Sequence, residues 1–179
     1  MSRTILNTID EMIDDCLNYN HKIQSKHISL IVKGSKPVTK YHYNELIPIS
    51  LLGVNYYTFH AEIKAVLDLI KTFNHTIPFN IYKNEFVKNI ELTKLTNNAV
   101  FTNFKKKIGK YSIIIIRINR KGELVNSKPC IDCMRILKLL NIKYIYYSND
   151  EGNIVKIKCK EAKTEHLSKA KKNINMILI

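Results

Sequence analysis

The sequence predicts one α/β domain spanning residues 1–179. Segments with apolar residues at helical spacing alternate along the chain with short segments that have the composition of β-strands. The run from Tyr111 to Ile118 is almost continuously apolar, which is typical of a strand buried on both faces of a sheet. A chain of 179 residues is long enough to bury the core of a single domain without disulfide bonds.

The N-terminal part of the chain predicts a helix and then a β-hairpin. A helix over residues 4–18 is indicated by apolar residues at helical spacing, with acidic residues on the opposite face. Those apolar residues are Ile5, Ile9, Met12, Ile13 and Cys16. Ile28–Val32 predicts the first strand, Gly34–Pro37 supplies turn residues, and Val38–Tyr43 alternates as a second strand would.

The remaining elements follow the same alternation. Helical spacing resumes after Phe59 and continues to about Thr72, with His60 in the first turn. After the buried strand at 111–118, a loop leads to Pro129 and a second helical pattern that extends to Leu140. Two strand-like segments, 144–148 and 154–158, are joined by a link too short for a crossover helix, so they should form an antiparallel hairpin.

The segment 73–110 is too long to be a simple connection between elements. It is polar, with Pro78 near its beginning and the run Lys105–Lys107 near its end. We interpret it as an insertion that is partly helical around 86–95. Lys105–Lys107 could guide a phosphorylated substrate or lie in a solvated loop without a role.

The net charge of +14 has two explanations that the sequence leaves open. Clustered cationic side chains bind nucleic-acid phosphates. However, 25 of the 29 basic residues are lysine and four are arginine, a bias that a low-GC genome, such as that of a large DNA virus, would produce on its own.

The absence of apolar targeting segments and the pattern of cysteines favour a cytoplasmic protein. No segment approaches the roughly 20 apolar residues of a membrane span, and the N-terminal segment lacks the apolar core of a signal peptide. We therefore expect a soluble, cytoplasmic protein without a membrane partner. The close pair Cys130 and Cys133 suits metal or redox chemistry, whereas Cys16 and Cys159 are expected to be plain thiols.

Two short motifs at predicted helix starts carry the chemistry. One is His60-Ala61-Glu62, and the other is Pro129-Cys130-Ile131-Asp132-Cys133. Two cysteines separated by two residues at a helix start can bind one metal, since the helix dipole favours thiolates there. His60 would be the third ligand, which leaves the fourth zinc position for water and makes the site catalytic rather than structural.

Glu62 would lie beside the metal without binding it. A zinc ion lowers the pKa of its bound water toward about 7, and Glu62 can move that water's protons to a substrate. Each motif alone is weak, because His-x-Glu is common and Cys-x-x-Cys could be a redox pair. A loop separates the buried strand from Cys130, which differs from a thioredoxin-like context.

Together the two motifs resemble the H-x-E and P-C-x-x-C signature of zinc-dependent base deaminases. The order of predicted elements over about residues 1–160 is also similar to that of the cytidine deaminase-like superfamily. The resemblance implies a three-layer α/β fold, with a mixed sheet of about five strands, helices on both faces and zinc held between two helices. The antiparallel hairpin of the last two strands is similar to the arrangement in the branch of the superfamily that contains free cytidine deaminases.

We expect substrate contacts at Asn44, Ala61 and Ser127. Asn44 lies near the position where family members hold the sugar, although the usual Gly-x-Asn-x-Glu string is absent, and a turn asparagine is the alternative. Ser127 could line the site or serve in a turn. The remaining histidines have no partner spacing and are expected at the surface or in local hydrogen bonds. They are His21, His27, His42, His75 and His166.

The expected function is therefore zinc-dependent hydrolysis of a cytosine-type base to uracil and ammonia, on a free nucleoside or nucleotide, by a homo-oligomer. One alternative is a deaminase of single-stranded nucleic acid or of a purine base. Another is a catalytically idle deaminase fold that serves as a nucleic-acid-binding module, and a third is a redox protein. The presence of Glu62 favours the enzyme, because a binding module needs no proton shuttle.

Overall fold

A mixed β-sheet of seven strands lies at the centre of the protein. The computed structural model of the chain describes residues 1–18, 26–51, 54–73 and 99–167. The sheet follows the path β2-β1-β6-β8-β9, with β3 added to β1 and β7 added to β6. Its strands are β1 (Lys26–Lys33), β2 (Lys36–Pro37), β3 (His42–Tyr43), β6 (Tyr111–Ile118), β7 (Leu124–Val125), β8 (Tyr144–Ser148) and β9 (Ile154–Lys158).

Four helices and a separate hairpin complete the described residues. The helices are α1 (Arg3–Asn18), α2 (Ala61–Lys71), α3 (Ala99–Ile108) and α4 (Ile131–Leu139), and a short 3₁₀ turn spans Cys159–Glu161. The hairpin is a two-stranded antiparallel sheet of β4 (Glu45–Leu51) and β5 (Val54–Phe59). Within the described ranges, every helix is too short or too polar to cross a membrane.

One parallel pair makes the sheet mixed. Strand β6 is antiparallel to β1 over eight residue pairs and parallel to β8, with Ile113 opposite Ile145. Strands β8 and β9 form the antiparallel hairpin that their short link predicts, with Tyr147 opposite Val155. All but one of the residues of β6 are buried, so the prediction of a strand covered on both faces is confirmed.

The two faces of the sheet are covered by different helices. Alternate residues of β1 and β6 point to opposite faces, as the two-residue period of a strand requires. On one face, Ile28 and Leu30 pack with α1 residues such as Ile9 and Met12. On the other face, Ile31 packs with residues of α2, α3 and α4, including Leu69. These three layers agree with an α/β fold.

The predicted N-terminal hairpin is more irregular than its alternating sequence suggests. Of the predicted second strand, Val38–Tyr43, only the two residues of β3 are a strand, whereas β2 lies in the predicted turn; both are antiparallel to β1. Between them, Ile31 N donates to the Thr39 side-chain oxygen at 3.1 Å rather than to a backbone carbonyl. This bond interrupts the backbone hydrogen bonding with β1 at the positions between β2 and β3. Because β2 and β3 are separate strands and β7 is an additional one, the sheet has seven strands rather than the predicted five or so.

The end of the predicted insertion belongs to the core. Lys105, Lys106 and Lys107 form the last turn of α3 rather than a solvated loop. Phe104 and Ile108 of the same helix are buried beneath them. Because α3 leads directly into the beginning of β6, the three lysines lie at the opposite end of that strand from the loop that carries Cys130. The helix predicted around 86–95 lies outside the described residues.

Candidate metal centre

His60 and Cys130 occupy equivalent positions at the beginnings of two helices. His60 is the N-cap of α2, with φ −71° and ψ 140°, and Cys130 is the N-cap of α4, with φ −67° and ψ 166°. Cys133 lies in the first turn of α4. The loop before Cys130 is tied to the carboxyl end of β8, because Ser127 N donates to the Ser148 carbonyl at 2.9 Å. The site thus lies beyond the carboxyl ends of parallel strands, where ligands bind in open α/β sheets.

The donor atoms of His60, Cys130 and Cys133 converge as the sequence predicts. His60 Nδ1 lies 3.6 Å from Cys130 Sγ and 3.2 Å from Cys133 Sγ. Zn–S bonds of about 2.3 Å and a Zn–N bond of about 2.0 Å at tetrahedral angles place N and S about 3.5 Å apart. All three ligand atoms lie within 4.8 Å of one another. The residues therefore fit a tetrahedral ion with one further position.

The three donors are close enough to shift one another's pKa values. The hydrogen bond from Cys133 and the one from His60 lower the pKa of Cys130 to about 4. The same pairing with Cys130, together with burial, raises the pKa of Cys133. Burial opposes the charged form of His60, but the contact with Cys130 and the nearby Glu62 outweigh it and raise the His60 pKa. A cation can replace the protons on these groups, since metals bind deprotonated thiolates and neutral imidazole.

Glu62 is buried beside the metal-binding atoms. Only 1% of the residue is exposed, and neither carboxylate oxygen has a hydrogen-bond partner among the described residues. Its charge raises the pKa of both His60 and Cys133, which places it close to both. A buried, unpaired carboxylate is costly unless something polar binds to it. Glu62 is therefore placed to hold or move a proton next to a metal.

Each metal-bearing helix is fastened at its first N–H group by a distant residue. Ala61 N donates to Asn44 Oδ1 at 2.7 Å, and Ile131 N donates to the His166 carbonyl at 2.9 Å. Free N–H groups at a helix start need such acceptors, and neither N-cap residue supplies one from its own side chain. Asn44 and Ala61, predicted as substrate contacts, are thus bonded to each other.

Ser127 is buried, and its hydroxyl is used within the protein. Ser127 Oγ donates to the Ile115 carbonyl at 2.8 Å and accepts from Ser148 N at 2.8 Å. The Ser148 hydroxyl lies 2.9 Å away and also donates to the Val125 carbonyl. These bonds join the loop before Cys130 to β6 and β8. Of the two roles considered for Ser127, the geometry favours the one in the loop.

His27 of β1 is a neighbour of the site that its sequence spacing does not indicate, and Ser29 lies on the same face of the strand. His27 was expected at the surface or in a local hydrogen bond, but its Nε2 is buried without a hydrogen-bond partner among the described residues, as is Ser29 Oγ. Burial lowers the His27 pKa, and its nearest charges include Glu62 and His60. The available signal was the pattern of β1, where two polar residues share a face with buried Ile31.

The other histidines have ordinary roles or lie elsewhere. His42 is buried and bonds Asp68 of α2 through Nε2 at 2.9 Å, in agreement with a local hydrogen bond. His166 is exposed and acts through its backbone. The expectations for His21 and His75 lie outside the described residues. Cys16 and Cys159 are buried free thiols, as expected.

A basic cleft lies along the outer side of α2. Its volume is about 470 Å³, and Lys40, Lys64 and Lys71 are among its lining residues. Lys64 is one helical turn beyond His60, and its Nζ bonds Glu45 Oε2 at 2.8 Å. Tyr41 and Tyr43 also line the cleft, so it combines cationic and aromatic groups.

Comparisons with known proteins leave the site to be interpreted from its own chemistry. The sequence matches no protein-family model and no curated protein.

Proposed function

We propose that this chain is a zinc-dependent hydrolytic deaminase that converts a cytosine-type base to uracil and ammonia, acting on a free nucleoside or nucleotide. The observation that carries the proposal is the combination of three converging metal donors with a buried, unpartnered carboxylate. His60, Cys130 and Cys133 supply the donors, and Glu62 supplies the carboxylate. A structural zinc site normally has four protein ligands, whereas a catalytic site has three.

His60 Nδ1, Cys130 Sγ and Cys133 Sγ would hold the zinc ion. Zinc bound there supplies a water activated for attack near neutral pH. Ile63, Leu67 and Ile136 pack around the two cysteines and keep bulk solvent from the sulfur atoms. A dry surrounding strengthens the electrostatic interactions of a site.

Glu62 performs the proton transfers. One carboxylate oxygen takes a proton from the attacking water and delivers it to the ring nitrogen next to the amino-bearing carbon. After the C–O bond forms, the same carboxylate takes the remaining proton of the added hydroxyl group and passes it to the amino nitrogen, and the C–N bond breaks to release ammonia while the C–O bond becomes a carbonyl. The second oxygen is also without a partner in the described residues, so Glu62 can turn between donor and acceptor roles.

The arrangement of the sheet supports this proposal over a redox function. The five-strand path β2-β1-β6-β8-β9 with an antiparallel β8–β9 hairpin agrees with what the resemblance to free cytidine deaminases implies. A redox pair would need only the two cysteines. It would leave unexplained why His60 lies within hydrogen-bonding distance of Cys133 and why Glu62 is buried beside them.

The basic cleft favours a second candidate, deamination within single-stranded nucleic acid. Lys64 and Lys71 lie on the helix that begins at His60, and Lys40 faces them. Lysines and tyrosines along a groove are suited to the phosphates and bases of a single strand. The same lysines could instead hold the phosphate of a mononucleotide. A purine base is also compatible with the metal donors. They specify attack at an amino-bearing ring carbon but do not specify whether that ring is a pyrimidine or a purine.

The test is an ammonia-release assay on zinc-loaded protein. The substrates are cytidine, deoxycytidine, their monophosphates, a cytosine-containing single strand, adenosine and guanosine, each with wild-type protein and with Glu62→Gln. We expect turnover of a cytosine compound by the wild type. Glu62→Gln should keep zinc and lose at least about 10²- to 10⁴-fold in turnover, because acid–base catalysis is removed.

Three outcomes decide between the candidates. Turnover of only the single strand, with binding that weakens steeply with salt, would replace the free-nucleoside proposal by the second candidate. Equal turnover by Glu62→Gln would refute the proton-transfer role. Zinc-loaded protein that deaminates none of these compounds would favour the idle, nucleic-acid-binding fold.

A further inference from the structure

All the unsatisfied buried side-chain atoms in the described residues belong to three residues. They are His27 Nε2, Ser29 Oγ and both carboxylate oxygens of Glu62. Most buried polar groups in proteins have a hydrogen-bond partner, so unsatisfied atoms call for a specific explanation. The proposed function explains the Glu62 oxygens, but it does not use His27 or Ser29.

The strand geometry places these two side chains on the face of the sheet that carries the metal-bearing helices. Residues 27, 29 and 31 alternate with those that face α1, and Ile31 packs with α2 residues. His27 is nearest the site, because its charge neighbours are Glu62, His60, Arg117 and Cys130. The carbonyl of His27 also accepts from Asn44 N at 3.1 Å, and Asn44 in turn holds the first turn of α2.

Other buried serines of the protein show what a structural hydroxyl looks like. Ser148 is fully buried, and its hydroxyl bonds both Val125 O and Ser127 Oγ. Ser29 is equally buried, yet its hydroxyl has no such partner in the described residues. Leaving a buried hydroxyl unpaired reduces stability. Residues that reduce the stability of the free protein are concentrated at functional sites, where a ligand supplies the missing contacts.

We propose that His27 Nε2, which lies near Glu62, and Ser29 Oγ, two residues further along the same face of β1, form a ligand-recognition wall and hydrogen-bond uncharged polar atoms of the bound nucleoside. This inference rests on the proposed function and names the residues that hold the substrate. An imidazole nitrogen and a hydroxyl can each donate or accept, so they match ring carbonyl, ring nitrogen or sugar hydroxyl groups. A buried wall of this kind does not suit a phosphate, which the exposed lysines of the basic cleft would bind instead.

The test combines kinetics with the stability of the ligand-free protein. The variants are His27→Leu and Ser29→Ala, which remove the polar atoms, and His27→Gln, which keeps a polar atom at a similar distance from the backbone. Ser148→Ala is the matched control, since it removes a buried hydroxyl whose bonds are satisfied. For each variant, we measure the zinc content and the KM and kcat for cytidine. The affinity for uridine is measured with each substitution in the Glu62→Gln background.

We expect His27→Leu and Ser29→Ala to keep zinc and to raise KM and the uridine Kd about tenfold, with a smaller effect on kcat. His27→Gln should restore most of the affinity. Without ligand, Ser29→Ala should melt at the same temperature as the wild type or about 2 °C higher, whereas Ser148→Ala should melt about 2–4 °C lower. Repeating the measurement with dideoxycytidine shows whether the ring or the sugar receives the contact.

Two results would overturn this inference while leaving the proposed function intact. One is unchanged KM and uridine affinity in His27→Leu and Ser29→Ala when wild-type turnover still depends on zinc and Glu62. The other is a fall in melting temperature for Ser29→Ala as large as that for Ser148→Ala, which would mean that the protein itself satisfies the hydroxyl. Absence of zinc or of turnover in the wild type would instead refute the proposed function.

Discussion

Asn44 offers a test of how the α2 helix positions the site. Its side-chain oxygen accepts the Ala61 N–H at 2.7 Å, and the N-cap residue His60 has no side-chain capping bond of its own. Losing a capping acceptor costs about 1 kcal/mol, within a range of about 0.5–2 kcal/mol. For a protein of this size, that loss lowers the melting temperature by about 2–4 °C. We therefore expect Asn44→Ala to melt in that range below the wild type.

The same substitution should also affect the chemistry. His60 and Glu62 lie on either side of Ala61, so a frayed first turn should weaken zinc affinity and lower kcat. Asn44→Asp is the matched variant, because it keeps the acceptor and places a negative charge at a helix N-terminus, which is favourable. It should melt at or above the wild-type temperature. If Asn44 also holds the sugar through its amide Nδ2, Asn44→Asp should raise KM.

The assay is thermal unfolding at a fixed zinc concentration, because ligand binding itself shifts the melting temperature. Zinc content and KM for cytidine are then measured on the same samples. An unchanged melting temperature in Asn44→Ala would refute the capping argument. A normal KM in Asn44→Asp would leave Asn44 with a structural role and would refute the sugar contact that the resemblance implies.

Three further predictions concern the metal, the thiols and the cleft. Wild-type protein purified under reducing conditions should contain about one zinc per chain, and Cys130→Ala should lose both the metal and stability. Wild-type protein without zinc would contradict this prediction. After chelation, iodoacetamide at about pH 6 should modify Cys130, whose pKa is about 4, before Cys159, whose pKa burial raises to about 11; the reverse order would contradict it. The double substitution Lys40→Gln and Lys71→Gln should weaken binding of a nucleoside monophosphate, mainly at low salt, whereas Lys160→Gln, at an exposed site outside the cleft, should not. Equal effects would exclude the cleft as the phosphate-binding site.

The sequence predicts the regular elements and the metal donors well for identifiable reasons. The continuous apolar run of β6 leaves little alternative to a central strand, and the short link after β8 leaves little alternative to a hairpin. His60, Cys130 and Cys133 were predicted to hold one metal because each motif begins a helix and together they match a zinc-site signature, and their donor atoms do converge. These are local patterns with strong geometric consequences.

The missed features depend on contacts that local patterns do not encode. The Thr39 side chain takes the place of a backbone acceptor between β2 and β3, which the alternation of residue types along the chain does not indicate. The hairpin of β4 and β5 was not predicted; it tolerates Pro48 because both strands of a two-stranded sheet are edge strands. His27 was missed because its place beside Glu62 arises from sheet pairing rather than from spacing along the chain.

The separation of the metal donors along the chain has a consequence for how the protein matures. His60 lies 70 residues before Cys130, and the two approach each other only after β1, β6 and β8 have assembled into the sheet on which α2 and α4 pack. Contacts between such distant residues form late, because the intervening chain must first lose its conformational freedom. We expect metal capture to follow folding rather than to nucleate it, unlike in a zinc finger. A newly made chain would therefore reach the proposed active form in two stages, first as a folded apoprotein and then by binding a metal ion.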